Sequence, residues 1–199
     1  MKLLMLLLGL SVSSVVLAHG PTPQKTDESV QVGSSAADMW KRVSDPCAIA
    51  QWHPEVTACS PVNEKQQTLT LKNGKQLLQE IDEVAQAEMT VSYRLSGEID
   101  LEALPVSSLN GKIKVSPDGS GAKISWTARY YRAFTGNEPP AGQDDESAKS
   151  AVDSFVKAGL QGLKEGRAAK SAAKSHDLID RCCVALRSTF KRWGLNWCA

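Results

Sequence analysis

Apolar positions along the chain change period twice, and the changes divide it. Residues His19 to Asp27 are polar, with Pro21 and Pro23, and read as an extended arm before a short strand over Glu28–Val32. Gly33-Ser34-Ser35 then opens a helix whose apolar positions Ala36, Met39, Trp40 and Val43 keep helical spacing until Asp45-Pro46 stops it. A second short helix is expected over Cys47–Trp52. Pro54 ends it, because the ring lacks a backbone donor and restricts His53 before it. From Val56 to Phe134 the period falls to two, giving strands at 56–62, 66–72, 76–84, 89–96, 109–116 and 123–134. Asn73-Gly74 and Pro117-Asp118-Gly119 supply the turn chemistry of a meander. Alternation puts Ile124, Trp126, Ala128 and Tyr130 on one face, and groups Met89, Val91, Tyr93 and Leu95 likewise. Residues 144–165 return to helical spacing, with Asp144, Asp145 and Glu146 at the start and Ala148, Ala151, Val152, Phe155, Val156, Gly159, Leu160 and Leu163 as an apolar stripe. Only the concave face of the meander is large enough to bury that stripe. The expected fold is therefore α+β, a curved antiparallel sheet wrapped around a long C-terminal helix.

The ends are read separately. Lys2, the run Leu3 to Gly9 and the small-residue ending Val16-Leu17-Ala18 have the form of a secretory signal over residues 1–18, with cleavage expected after Ala18 and an uncleaved anchor as the alternative. The organisation is then signal 1–18, arm 19–27, domain 28–165 and tail 166–199. At 199 residues, 42% apolar and 23% charged, the composition excludes collagen-like, coiled-coil and wholly disordered classes. The 23 basic and 22 acidic residues nearly cancel, but unevenly. The tail has seven basic residues against two acidic ones, leaving the body at −5. Such a body is a poor nucleic-acid binder and a candidate partner for basic proteins. Within the tail, Leu178, Cys182, Ala185, Leu186, Thr189, Phe190 and Trp193 could line one side of a basic amphipathic helix, docked on a membrane, on a protein or on the body itself, with a poorly ordered segment beyond the link Arg167–Ser175 as the alternative.

Five cysteines, Cys47, Cys59, Cys182, Cys183 and Cys198, leave at least one unpaired in a disulfide-permissive compartment. Cys47 and Cys59 could bridge a loop to a strand, and none has metal spacing.

The order of elements resembles the helix-grip fold of the START-like, polyketide-cyclase-like (SRPBCC) superfamily. The stretches His19–Lys25, Trp52–Val56, Leu69–Gly74, Glu102–Ser108 and Asn137–Pro140 are similar to its exported MxaD-type branch. That resemblance implies a cavity between sheet and closing helix. It also implies a periplasmic accessory role in quinoprotein methanol oxidation, beside the methanol dehydrogenase and its cytochrome c acceptor, with no turnover or cofactor of its own. It does not extend past Gly166.

Two groups of residues are candidate ligand contacts. Trp52 and His53, within Trp52-His53-Pro54-Glu55, stand where a helix meets the meander, at the expected mouth of the cavity, and could touch a ligand or a partner. Equally, Trp52 could cap the core while His53 bonds backbone. Tyr93, Trp126 and Tyr130 on the inward faces of neighbouring strands, with Phe155 opposite on the helix, could line an aromatic cavity for a small apolar ligand or simply fill the core. Buried tyrosine hydroxyls would need partners. No phosphate loop, nucleophile elbow or HExxH motif is present, and neither catalytic residues nor a metal are expected. His19 as a new N-terminus could hold copper only with a second ligand such as His53 or His176. Glu55, Glu80 and Arg94 are the remaining acid–base candidates for a cyclase-like reaction.

Overall fold

The computed structural model describes residues 20–166. The expected signal, His19, His176, the tail after Gly166 and with it Cys182, Cys183 and Cys198 lie outside the described residues. The elements run β1 (Gln24–Val32), α1 (Ala36–Val43), a 3-10 turn (Pro46–Ala48), α2 (Ile49–Trp52), β2 (Val56–Pro61), β3 (Gln66–Leu71), β4 (Gln76–Ala85), β5 (Thr90–Leu95), β6 (Val106–Asp118), β7 (Gly121–Arg132) and α3 (Asp145–Lys164).

All seven strands form one antiparallel sheet in the order β1-β7-β6-β5-β4-β3-β2. The meander is thus continuous, and β1 closes onto its last strand. α3 lies mainly against β1 and β7, while α1 covers β6 and part of β7, so the two helices share the inner face. The core gathers Met39 and Trp40 of α1, Trp52 of α2, the inward residues Leu109, Ile113, Val115, Ile124 and Trp126, and Val152, Val156 and Leu163 of α3. Caps fix both principal helices. The Ser35 hydroxyl accepts from the Asp38 amide at 3.2 Å, and the Asp144 carboxylate accepts from the Ser147 amide at 2.7 Å.

Several boundaries differ from expectation, among them the start of β6, which lies at Val106 rather than Leu109, and three of them have a local reason. β1 starts at Gln24, inside the expected arm, and pairs from Gln24↔Tyr130 to Val32↔Ala122. Its polar start is buried because Thr26 turns inward and finds hydrogen-bond partners there. β5 begins at Thr90 rather than Met89, whose φ of 47° belongs to the preceding turn. β7 ends at Arg132, where the chain wraps around its guanidinium. Nε donates to the Phe134 carbonyl at 2.8 Å, Nη2 to the Gly136 carbonyl at 2.7 Å and Nη1 to Asp145 at 3.0 Å.

Candidate functional site

Trp52 and His53 stand at the end of α2 and meet α3 directly. His53 is 2% exposed, so it is part of the core rather than the mouth of a cavity. Its Nδ1 accepts from the Glu55 amide at 3.1 Å, which leaves Nε2–H to donate to the Phe155 carbonyl at 3.0 Å. Its ring stacks on Phe155 at 4.1 Å between centroids, and Trp126 meets both rings edge-on at 6.0 Å. Trp52 packs edge-on against Trp126 at 5.9 Å. Of the two sequence alternatives for this pair, the packed and backbone-bonded one is observed.

Two glycines on α3 permit the approach. A Cβ on Gly159 would lie 2.5 Å from the Trp126 ring and 2.7 Å from the His53 ring, and one on Gly162 would lie 1.9 Å from the Trp52 carbonyl oxygen. The helix therefore lies down on the Trp52–Pro54 segment with no gap at this end. The spacing Gly159-x-x-Gly162 was the available signal, but an apolar stripe alone does not separate a glycine that packs from one that is tolerated.

Tyr93 and Trp126 face inward as expected, but their strands are not neighbours, since β6 runs between them. Gly111 of β6 makes the link. It pairs with Tyr93 on one side and Ala128 on the other, and its missing side chain lets the Tyr93 ring cross over it, where a Cβ would lie 2.1 Å from Cζ. The indole Nε1–H of Trp126 donates to the Tyr93 hydroxyl at 2.9 Å. Burial pushes that phenol well above its usual pKa, the indole donor opposing the shift only in part.

Tyr130 belongs elsewhere. Its hydroxyl hydrogen-bonds Thr26 at 3.1 Å, the Thr26 hydroxyl donates to Asp153 at 2.5 Å, and Asp153 pairs with Lys149 at 2.6 Å. Burial raises the Tyr130 pKa, with the Asp153 charge adding to it and the Thr26 bond opposing. For Asp153 partial burial raises the pKa, but hydrogen bonds from Lys149 and Thr26 outweigh it and hold the carboxyl below its ordinary value of 3.8. This chain fastens α3 to β1 and β7. The expected aromatic cavity is thus filled, with Trp126 and Tyr130 at 0% and 1% exposure.

An opening does exist on the other flank of α3. A cleft of about 520 Å³ lies between that helix, the β3–β4 turn and the loop before β6. Leu71, Ala103, Leu104, Ala151, Phe155 and Ala158 give it apolar walls, and Glu55, Lys72, Asn73 and Ser154 its polar positions. Phe155 alone of the six expected ligand contacts lines it. At its rim Lys72 pairs with Glu55 at 3.0 Å. Lys75 of the turn reaches Asp100 at 3.1 Å and Glu102 at 2.7 Å, and the Asn73 side chain donates to the Glu102 carbonyl at 2.9 Å, so the loop is tied to the turn. Three of the sequence stretches noted above, Trp52–Val56, Leu69–Gly74 and Glu102–Ser108, supply residues to this one cleft.

The acid–base candidates do not converge. Glu55 stands at the cleft, whereas Arg94 pairs with Asp82 and lies 3.9 Å from Glu80, and neither Arg94 nor Glu80 lines the opening. Among the described residues no group of three or more His, Cys, Asp and Glu side chains could hold a metal ion, and no helix is long and apolar enough to cross a membrane. Cys47 and Cys59 form a disulfide that ties the 3-10 turn before α2 to the edge strand β2.

The domain is similar in form to several solved structures. An uncharacterized protein from Bacillus thuringiensis has a TM-score of 0.61 at 16% identity, over 72% of this chain and 98% of that one. The protein XoxI from Bacillus cereus gives 0.60 at 16%, over 72% and 94%. The aromatase/cyclase ZhuI from Streptomyces sp. R1128 gives 0.58 at 15%, over 73% and 94%. These likenesses show the helix-grip fold. No curated protein matches the chain in sequence. One family model, described as polyketide cyclase / dehydrase and lipid transport, matches residues 23–166.

Proposed function

The chain belongs to the polyketide cyclase / dehydrase and lipid transport family, and from that premise we propose that it is a binding protein rather than a turnover enzyme, taking a small apolar or amphipathic ligand in the cleft beside α3. The observation that carries this reading is the convergence of Glu55, Leu71, Lys72, Asn73, Ala103 and Leu104, from three separated stretches, around one apolar-walled opening. The rim ion pair Glu55–Lys72 offers a polar handle to a ligand whose body lies against Phe155 and Ala158. Of the acid–base candidates Glu55 alone lines the opening, where it is paired with Lys72, while Glu80 and Arg94 stand away from it.

The same stretches resemble the MxaD-type branch, and that resemblance supports reading the protein as an exported accessory of quinoprotein methanol oxidation, aiding transfer from the dehydrogenase to its cytochrome acceptor. The Cys47–Cys59 disulfide supports an oxidising compartment. The test is methanol-driven cytochrome reduction in extracts with and without the protein, together with native mass spectrometry of the purified chain. Faster reduction and a copurifying small molecule are expected. Equal rates would remove the methanol reading, and turnover of an aromatic polyketide mimic would replace the binding reading with a cyclase one.

A further inference from the structure

From the side of the sheet that carries no helix among the described residues we infer that the outer face of the β6–β7 hairpin is a docking surface for an acidic protein, separate from the cleft and independent of what the cleft holds. Alternation along these strands turns Leu109, Ile113, Ile124 and Trp126 inward and leaves Lys112, Lys114, Lys123 and Arg129 exposed on the opposite face. The register sets each cation across from a neutral group: Lys112↔Thr127, Lys114↔Ser125, Ser116↔Lys123 and Asn110↔Arg129. Across the flanking strands the partners are Ser92 and Thr90 of β5, and Lys25 and Gln31 of β1. A cross-strand carboxylate would stabilise each position, and like charges side by side do the reverse.

Among the described residues none of the four forms an ion pair, while Asp27, the nearest acid on β1, is already held by Lys25 at 2.5 Å and Thr127 at 3.0 Å. The concentration runs against the domain as a whole, since residues 20–166 carry 15 Lys and Arg against 20 Asp and Glu. A cluster that forgoes internal pairing in an otherwise acidic body is complementary to an external anion.

The rest of the face indicates which kind. Tyr131 lies on the same side of β7, 40% exposed and opposite Ser108, and the cations are separated by short hydroxyl side chains on rigid strands. One exposed tyrosine among ordered cations suits a protein interface. A bilayer would want several apolar side chains to insert, and single-stranded nucleic acid a row of aromatic rings to stack on.

The test is amide-shift mapping of the full chain titrated with poly-L-glutamate as the acidic probe, with phosphatidylglycerol vesicles and a DNA duplex as the other arms. Poly-L-glutamate is expected to perturb Lys112, Lys114, Lys123, Arg129 and Tyr131, with affinity falling as salt rises. A variant carrying Lys112→Ser, Lys114→Ser, Lys123→Ser and Arg129→Ser, all exposed positions, is expected to keep its fold and bind roughly tenfold more weakly. A footprint confined to the basic residues after Gly166, or stronger occupation of this face by vesicles or DNA, overturns the inference. The wild-type footprint decides the matter even if the variant does not fold.

Discussion

Gly162→Ala turns the seating of α3 into a question of sign. An exposed helix position gains about 1 kcal/mol when glycine becomes alanine, through helix propensity alone. Here the new Cβ would lie 1.9 Å from the Trp52 carbonyl oxygen, whereas real Cβ contacts essentially never fall below 3.0 Å, so helix or carbonyl must retreat by about 1 Å. The carbonyl is fixed by α2 and by His53, whose own bond to Phe155 is part of the same contact. A gap of that size forfeits a quarter to a half of the dispersion energy of the atoms along it. Spread over Val156, Leu160 and Leu163, buried side chains worth about 2 kcal/mol each, the gross loss is about 1.5–3 kcal/mol. After the propensity gain the net cost is about 0.5–2 kcal/mol, a fall in Tm of roughly 1–8 °C. Urea unfolding followed by tryptophan fluorescence measures it, since Trp52 and Trp126 border the contact. Unchanged or increased stability would refute the claim that this glycine seats the helix.

Three further predictions concern separate links. Tyr93→Phe removes the acceptor of the Trp126 indole and should cost about 1–3 kcal/mol in chemical denaturation, while Gly111→Ala should cost less in a Tyr93→Val background than alone; additive costs would show that the ring does not cross Gly111. Cys47→Ser opens a loop of sequence separation 12 and should lower stability by about 3 kcal/mol under oxidising conditions, with no difference from the parent in reductant. Because the folded Asp153 carboxyl is held below its ordinary value, its contribution is fully present above that value and is lost as pH falls through the folded one. Asp153→Asn should therefore be destabilising by about 1–3 kcal/mol near neutral pH and flatten the acid limb of the stability profile, and a parallel curve would contradict the assignment.

The elements and their order were legible because each announces its period. α1, the meander and α3 are found within a few residues of where spacing puts them. Where polar side chains are buried in partnership the pattern is silent, as with Thr26 at the start of β1 and His53 under α3. Period also gives the facing of a side chain but not its distance from another. Tyr93 and Trp126 were correctly turned inward, yet their contact depends on an intervening strand carrying glycine at one position. The cleft was legible least, since its walls come from a turn, a loop and the flank of a helix, none of which a periodicity marks.

The central claim is that this protein receives its ligand beside α3 and not within the aromatic core. Amide-shift mapping of a titration with anilinonaphthalene sulfonate, an apolar fluorophore with one anionic end, addresses it directly. Shifts are expected at Leu71, Lys72, Leu104, Phe155 and Ala158, and their loss in Ala158→Trp, which fills the opening. Shifts centred on Tyr93, Trp126 and Tyr130, or undiminished binding to the filled variant, would contradict the account.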